Sequence, residues 1–381
     1  MNTKNDMFLL QFMIGNKFDT YIGDNNTIVV TNSMGKRESH NYLWGAERYT
    51  LKICNELSKK YNVHLFISGE KCVNIDNVTI HTNINTYLSR GLINDYAVKI
   101  RNIKPKCIFC NASCGQDALF WTIISKLSKI PIIMFFHNEP QFMIDTITHI
   151  RAMDYIRKQE ILKDGKSLYE IVLKNCDKLA FLLPQYINEK YKEKSVVFYN
   201  CIDISNNIDI KSNRNKILYV GRINSDTKRT HILLDWVKNT DYECDVVGYS
   251  YKGFGYIDMD KYNYPNIHYY GYQENVSAFY KNADVLIVPS KYEGLPTVII
   301  EALSYGVPIV GFKECKVMNY LIKDGYNGWL IDNNFNENMD KIMKIDKSNM
   351  RQNCLDEAKK YDINNIMKKI NECIESVDDE N

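Results

Sequence analysis

"YEGLPTVIIEALSYGVPIV", residues 292–310, carries two carboxylates eight positions apart. Glu293 sits in a Gly/Pro loop, and Glu301 lies among Val298, Ile299, Ile300, Ala302 and Leu303. The stretch before it, ADVLIVPS (283–290), is a continuous apolar run of the kind that forms a strand buried on both faces. KYEGLP follows as a loop. Pro296 suits the first helical position, where its missing N–H costs nothing. The helix is expected to run to about Tyr305, with Gly306 as its stop before Pro308. VPIVGF (307–312) then supplies the next strand. A helix this apolar is expected to be buried. Glu301 lies about 7.5 Å up from Pro296, at 1.5 Å per residue. A carboxylate buried there costs several kcal/mol unless hydrogen-bond donors reach it, from a Lys or Arg or from ligand hydroxyls. The free N–H groups at the start of the same helix make an anion site. The layout matches a sugar nucleotide, whose phosphates are flanked by two hydroxyl-rich rings. Taken alone, it also fits an ordinary loop with a capping Glu293 and a salt-bridged Glu301.

Strand–helix alternation extends in both directions. Upstream, short apolar β-branched runs fall at 27–32, 62–68, 78–83, 106–112, 131–138, 178–184 and 195–200, with helix-period segments such as 45–61 between them. A second series falls at 216–223, 244–249, 266–272, 283–290 and 307–312, with a helix pattern at 228–239. Residues 202–215 lack apolar periodicity and read as a linker. Residues 336–377 read as charged amphipathic helices. The alternation argues for parallel sheets covered by helices. The expected division is 1–205, 206–360 and a C-terminal helix and tail over 361–381. In open α/β sheets ligands bind beyond the carboxyl ends of the strands, so two such domains facing one another would enclose a cleft.

Composition bounds the alternatives. A chain of 381 residues exceeds what one core usually serves. A formal net charge of +2 gives no case for a nucleic-acid partner. The 11 cysteines, odd in number and scattered, fit reduced thiols in the cytoplasm rather than a disulfide framework. No signal peptide and no membrane span is expected. The basic stretch 98–106 suits a solvated face or a weak peripheral membrane contact.

EGLPTVIIEALSYGVPIV resembles the Glu-x7-Glu signature of the retaining, GT-B-fold glycosyltransferases of family 4, the glycosyl transferases group 1. YVGRINSDTKR (219–229) resembles that family's G-R-x-x-x-x-K segment. WGAERYTLKICNELSKK (44–60), FFHNEP (135–140) and FYNCID (198–203) resemble three of its first-domain motifs, and all five stand in the expected order. The resemblance implies an α/β protein of GT-B fold, with two Rossmann-like domains facing across a cleft and C-terminal helices packing back toward the first. The first would bind the acceptor and the second the nucleotide sugar.

The resemblance also implies roles. Arg222 and Lys228 hold the donor diphosphate, where fixed cations best stabilise the charge that develops as the glycosidic bond breaks. Glu301 is similar to the ribose-binding carboxylate and Glu293 to the one that contacts the transferred sugar. The backbone of Gly294, Leu295, Pro296 and Thr297 meets the sugar and distal phosphate, and Gly294 permits close approach. Gly221 allows the chain close to the phosphates, and Gly45 approaches them from the first domain. His137 contacts the donor sugar or stabilises charge there. Tyr272, with Gln273, frames the base. The chain departs from the family at Trp44, where a glycine is usual. The expected reaction is metal-independent hexosyl transfer with retention, from a UDP- or GDP-sugar to a glycan, lipid-linked or protein acceptor, with no cofactor. The rival readings are a sugar-nucleotide epimerase and a non-catalytic sugar-nucleotide binder.

Three decoys carry less. Asp258-Met259-Asp260 matches an Asp-x-Asp metal motif but stands in a Tyr-rich loop. Cys107, Cys110 and Cys114 have cluster-like spacing without a second pair. Residues 247–255 are Gly-rich with the wrong spacing for a dinucleotide turn.

Overall fold

The structure is a computed structural model, and it describes residues 4–13, 18–32, 45–69, 74–204, 216–250, 252–253 and 255–377. Trp44, with the loop before it, and residues 205–215 of the expected linker lie outside the described residues. The chain divides into two compact units, Met1–Tyr199 with Ile366–Asn381, and Asn200–Asn365.

The first unit is built on a seven-stranded parallel sheet of β1 (Asp24–Asn32), β2 (Asn62–Ile67), β3 (Val78–His81), β4 (Pro105–Ala112), β5 (Ile132–Phe136), β6 (Lys178–Phe181) and β7 (Ser195–Val197). Their order is β3-β2-β1-β4-β5-β6-β7. Strand β5 is wholly apolar and β1 and β4 are buried over most of their length, whereas edge strands β3 and β7 are only half-buried. Cys107 and Cys110 are two of the buried residues of β4, packed as small hydrophobes. An N-terminal helix, Lys4–Met13, inserts Phe8 and Phe12 into this core.

The second unit has six parallel strands: β8 (Lys216–Val220), β9 (Glu243–Val247), β10 (Ile267–Tyr269), β11 (Val285–Val288), β12 (Ile309–Phe312) and β13 (Gly328–Ile331). They run in the order β10-β9-β8-β11-β12-β13. Strand β13 is an addition to the expected series. On the amino-terminal side of β11, buried Asp284 pairs with Lys347 at 3.2 Å and Arg351 at 3.0 Å, which ties helix Ser348–Ala358 to the sheet. The last helix, Ile363–Ser376, passes from the second unit into the first. No helix among the described residues is long and apolar enough to cross a membrane.

Candidate functional site

Strand order sets the place. In the second sheet β8 lies between β9 and β11, so the chain leaves β8 and β11 for opposite flanks and a crevice opens beyond their carboxyl ends. The loop after β8 carries Gly221, Arg222 and Lys228; the loop after β11 carries Ser290, Glu293 and Gly294. Gly221 has φ +153°, and beside it a Cβ on Gly248, at φ +145°, would stand 1.8 Å from the Gly221 carbonyl oxygen. The two strand ends pass this closely because Gly248 has no Cβ; at Gly221 it is the positive φ, not the space, that favours glycine.

The β8 loop is stiffened from within. Asn224, buried, accepts at Oδ1 from the Thr227 N–H (3.1 Å), the Thr227 hydroxyl (3.3 Å) and the Lys228 N–H (2.9 Å). The buried Tyr219 hydroxyl donates to the Arg222 carbonyl at 2.5 Å and accepts from Thr230 at 3.0 Å. The Lys291 N–H donates to the Thr227 carbonyl at 2.8 Å, which joins this loop to the one after β11. Arg229, in a left-handed conformation, donates from Nε to the Pro289 carbonyl at 2.8 Å and stacks 4.5 Å from the Phe312 ring centroid.

These clamps bring Lys228 Nζ to 2.5 Å from Glu293 Oε1. The Ser290 hydroxyl donates to that same oxygen at 2.6 Å. Two buried reporters feel the charges around them. Burial chiefly raises the Tyr219 pKa, with Glu293 adding to the rise and Arg222 opposing it. Burial first, and Glu293 second, push the Cys315 thiol up to about 12, against Lys228. Arg222, Lys228 and Glu293 therefore share one electrostatic neighbourhood.

Helix Thr297–Ser304 begins one residue later than expected, with Pro296 as its N-cap. Its first N–H groups stand outside the i→i−4 ladder, and that of Ile299 donates to the Pro296 carbonyl at 3.2 Å. Leu295 is buried, and its carbonyl accepts from Asn200 Nδ2 at 2.5 Å. Glu301 corrects an expectation. Thr297, Val298, Glu301 and Tyr305 form a half-exposed stripe on a helix expected to be buried all round. Glu301 therefore avoids the full cost of charge burial, and it accepts from the Tyr280 hydroxyl at 2.8 Å. Tyr272 lies past β10, edge-on to Tyr249 with centroids 6.4 Å apart, at the same carboxyl end of the sheet. Gln273 turns back to the Tyr270 carbonyl.

The first unit holds the other named residues. His137 follows β5, is buried, and pairs through Nε2 with Asn111 Oδ1. The Asn111 amide donates to Thr50 Oγ1, which also accepts from Asn32 at 2.7 Å and donates to the Ala46 carbonyl at 2.8 Å. A buried polar chain thus links the carboxyl ends of β1, β4 and β5. Desolvation holds the His137 pKa down to about 3, so its imidazole is neutral. Gly45 opens helix Gly45–Leu57, and a Cβ there would meet nothing within 4 Å, so none of the described residues of this unit demands glycine. Sequence reasoning gave no role to Ser290, nor to Asn224, Asn200 and Arg229, although these three fall inside its motif segments; each makes a hydrogen bond to a neighbouring loop or turn.

Residues 202–361 match the family model described as glycosyl transferases group 1. A Klebsiella pneumoniae protein described as an uncharacterized 41.2 kDa protein in the cps region is 29% identical over 170 residues, 40% of this chain and 45% of that one. The chain spans about half the length of the first curated relatives it matches. A Campylobacter jejuni undecaprenol-linked-glycan alpha-1,4-N-acetyl-D-galactosaminyltransferase is 24% identical over 315 residues, 75% of this chain and 81% of that one. Among solved structures, Anabaena Alr3699/HepE in complex with UDP superposes with TM-score 0.69 at 16% identity, covering 92% of this chain and 100% of that chain. The two Rossmann-like sheets and these neighbours give the chain the GT-B fold.

Proposed function

From the match of residues 202–361 to the glycosyl transferases group 1 we propose that the chain is a retaining, metal-independent hexosyltransferase. It moves the hexose of a nucleoside-diphosphate sugar to a hydroxyl of a glycan or lipid-linked acceptor. The observation that carries the reading is the convergence of Lys228, Glu293 and Ser290 beside a helix N-terminus at the switch point of the second sheet. Lys228 and Arg222 supply positive charge where the diphosphate leaves, and that charge counts most in the transition state. Glu293 accepts hydrogen bonds from the hexose hydroxyls. Glu301, oriented by Tyr280, accepts from the ribose.

The bond between the anomeric carbon and the diphosphate oxygen breaks, and the acceptor oxygen bonds to that carbon on the same face. The acceptor proton passes to the departing diphosphate. His137 takes part as a neutral hydrogen-bonding group, in keeping with its low pKa. Gly45, Gly221 and Tyr272 are assigned to the donor in the same reading. UDP in the neighbouring structure supports a uridine donor, and the undecaprenol-linked substrate in the Campylobacter relative's name supports a lipid-linked acceptor. Such an acceptor would bring the chain to a membrane surface.

The test is to incubate the chain with UDP-, GDP- and ADP-hexoses and a lipid-linked glycan acceptor, and to follow product by mass spectrometry. Acceptor-linked hexose is expected from one donor, and Glu293→Ala abolishes it while nucleotide binding survives. Donor interconversion without an acceptor-linked product would instead identify an epimerase.

A further inference from the structure

Both donors to Glu293 converge on one oxygen. Lys228 Nζ and Ser290 Oγ reach Oε1 at 2.5 and 2.6 Å, and no described residue donates to Oε2. Ser290 is 1% exposed, a short side chain in the loop two residues past β11, so burial leaves its hydroxyl little room to move. Lys228 stands on a loop, on a long side chain that can swing. One partner of Glu293 is therefore fixed and the other movable.

We propose that the Lys228–Glu293 pair is a latch that the donor's diphosphate opens, and that Ser290 is the positioning residue that keeps Glu293 aimed once Lys228 has turned away. The inference rests on the glycosyltransferase reading and adds an order of events to it. In the donor-free protein each charge neutralises the other. A diphosphate carries more charge than one carboxylate and draws Lys228 to itself. Glu293 then keeps only the Ser290 hydroxyl and stands beside a new anion. Its lost donor is restored by hydroxyls of the hexose, on the oxygen that faces away from Ser290. The sugar is thus read only after the phosphates are in place. A nucleoside diphosphate without its sugar must leave Glu293 short of a partner, which weakens its hold on the site and favours release of the spent product.

The sign of one measurement separates this from a static ion pair. Titration calorimetry with UDP, GDP and ADP identifies the nucleotide that binds most tightly. Glu293→Gln keeps the shape and the Ser290 hydrogen bond but removes the charge that competes for Lys228. It should bind that nucleoside diphosphate more tightly, by about fivefold, the scale of a partly exposed ion pair. Affinity unchanged or weakened in a variant that melts as a folded protein would overturn the latch. Ser290→Ala should keep wild-type nucleotide affinity but lose about tenfold in kcat, the scale of a lost hydrogen bond to a charged group. Ser290→Thr, which restores a hydroxyl, should recover it. A loss of nucleotide affinity in Ser290→Ala equal to the loss in kcat would overturn the positioning role. If none of the three nucleotides binds the wild-type protein, the glycosyltransferase reading itself fails, a result distinct from binding that the Gln variant leaves unchanged.

Discussion

His137 shows what a single residue's surroundings decide. The Asn111 amide donates to Thr50, so its carbonyl oxygen faces the imidazole. His137 therefore donates from Nε2, and Nδ1 is left as an acceptor. Burial depresses its pKa to about 3, against an ordinary histidine value of 6.5. Between those values the unfolded chain binds a proton that the folded one refuses. Stability is therefore intact above pH 6.5 and lost progressively as the pH falls toward 3. From pH 7 to pH 5 the wild type should lose up to roughly 2 kcal/mol more than His137→Asn, read from urea unfolding at each pH. His81, depressed to about 4 by burial and by Lys99, acts in the same direction in both proteins and cancels in the comparison. Resemblance named His137 and Lys228; the eight-residue spacing drew out Glu293 and Glu301, the latter because charge in an apolar setting stands out in a sequence. Ser290 and Asn224 did not stand out. A serine at a strand end or an asparagine in a turn is common, and its meaning comes from the turn geometry that aims it.

Elements were legible where their pattern was long. The apolar runs of β4, β5 and β11 are strands within a residue or two of their expected bounds. Strand β13 escaped because Gly-Trp-Leu-Ile is only four residues long and has Asn-Gly turn signals beside it. Its pairing with β12 makes it a strand, and Gly328 allows the contact, since a Cβ there would stand 2.1 Å from the Ile309 carbonyl oxygen. The same logic at β8 and β9 gives a sharp prediction. Gly248→Ala forces a methyl into the Gly221 carbonyl and strains a positive φ, so it should cost roughly 2–4 kcal/mol in denaturant unfolding and weaken nucleotide binding with it. Asn224→Ala removes one acceptor from three donors in the neighbouring loop. It should cost about 1–3 kcal/mol and loosen Lys228, seen as a weaker nucleoside diphosphate affinity in titration calorimetry.

At the scale of the whole molecule, each sheet has its own apolar core. The candidate donor site lies in the unit Asn200–Asn365. Scanning calorimetry should resolve two transitions, and a bound nucleoside diphosphate should raise the one belonging to that unit, by about 2.7 kcal/mol at a hundred times its dissociation constant. A single transition shifted as a whole would contradict independent units. Alternation of strand and helix announced two sheets; only the resemblance pointed the C-terminal helix back toward the first. That helix lends Ile366, Ile370, Cys373 and Ile374 to the first unit as buried residues, sets Lys369 over the Tyr199 ring and pairs Glu375 with Lys60. On the ribosome, the part begun first is therefore the part finished last. Residues up to Tyr199 leave the exit tunnel lacking a helix that is still about 165 codons away, and they must wait with an uncovered apolar surface while the whole of Asn200–Asn365 is translated.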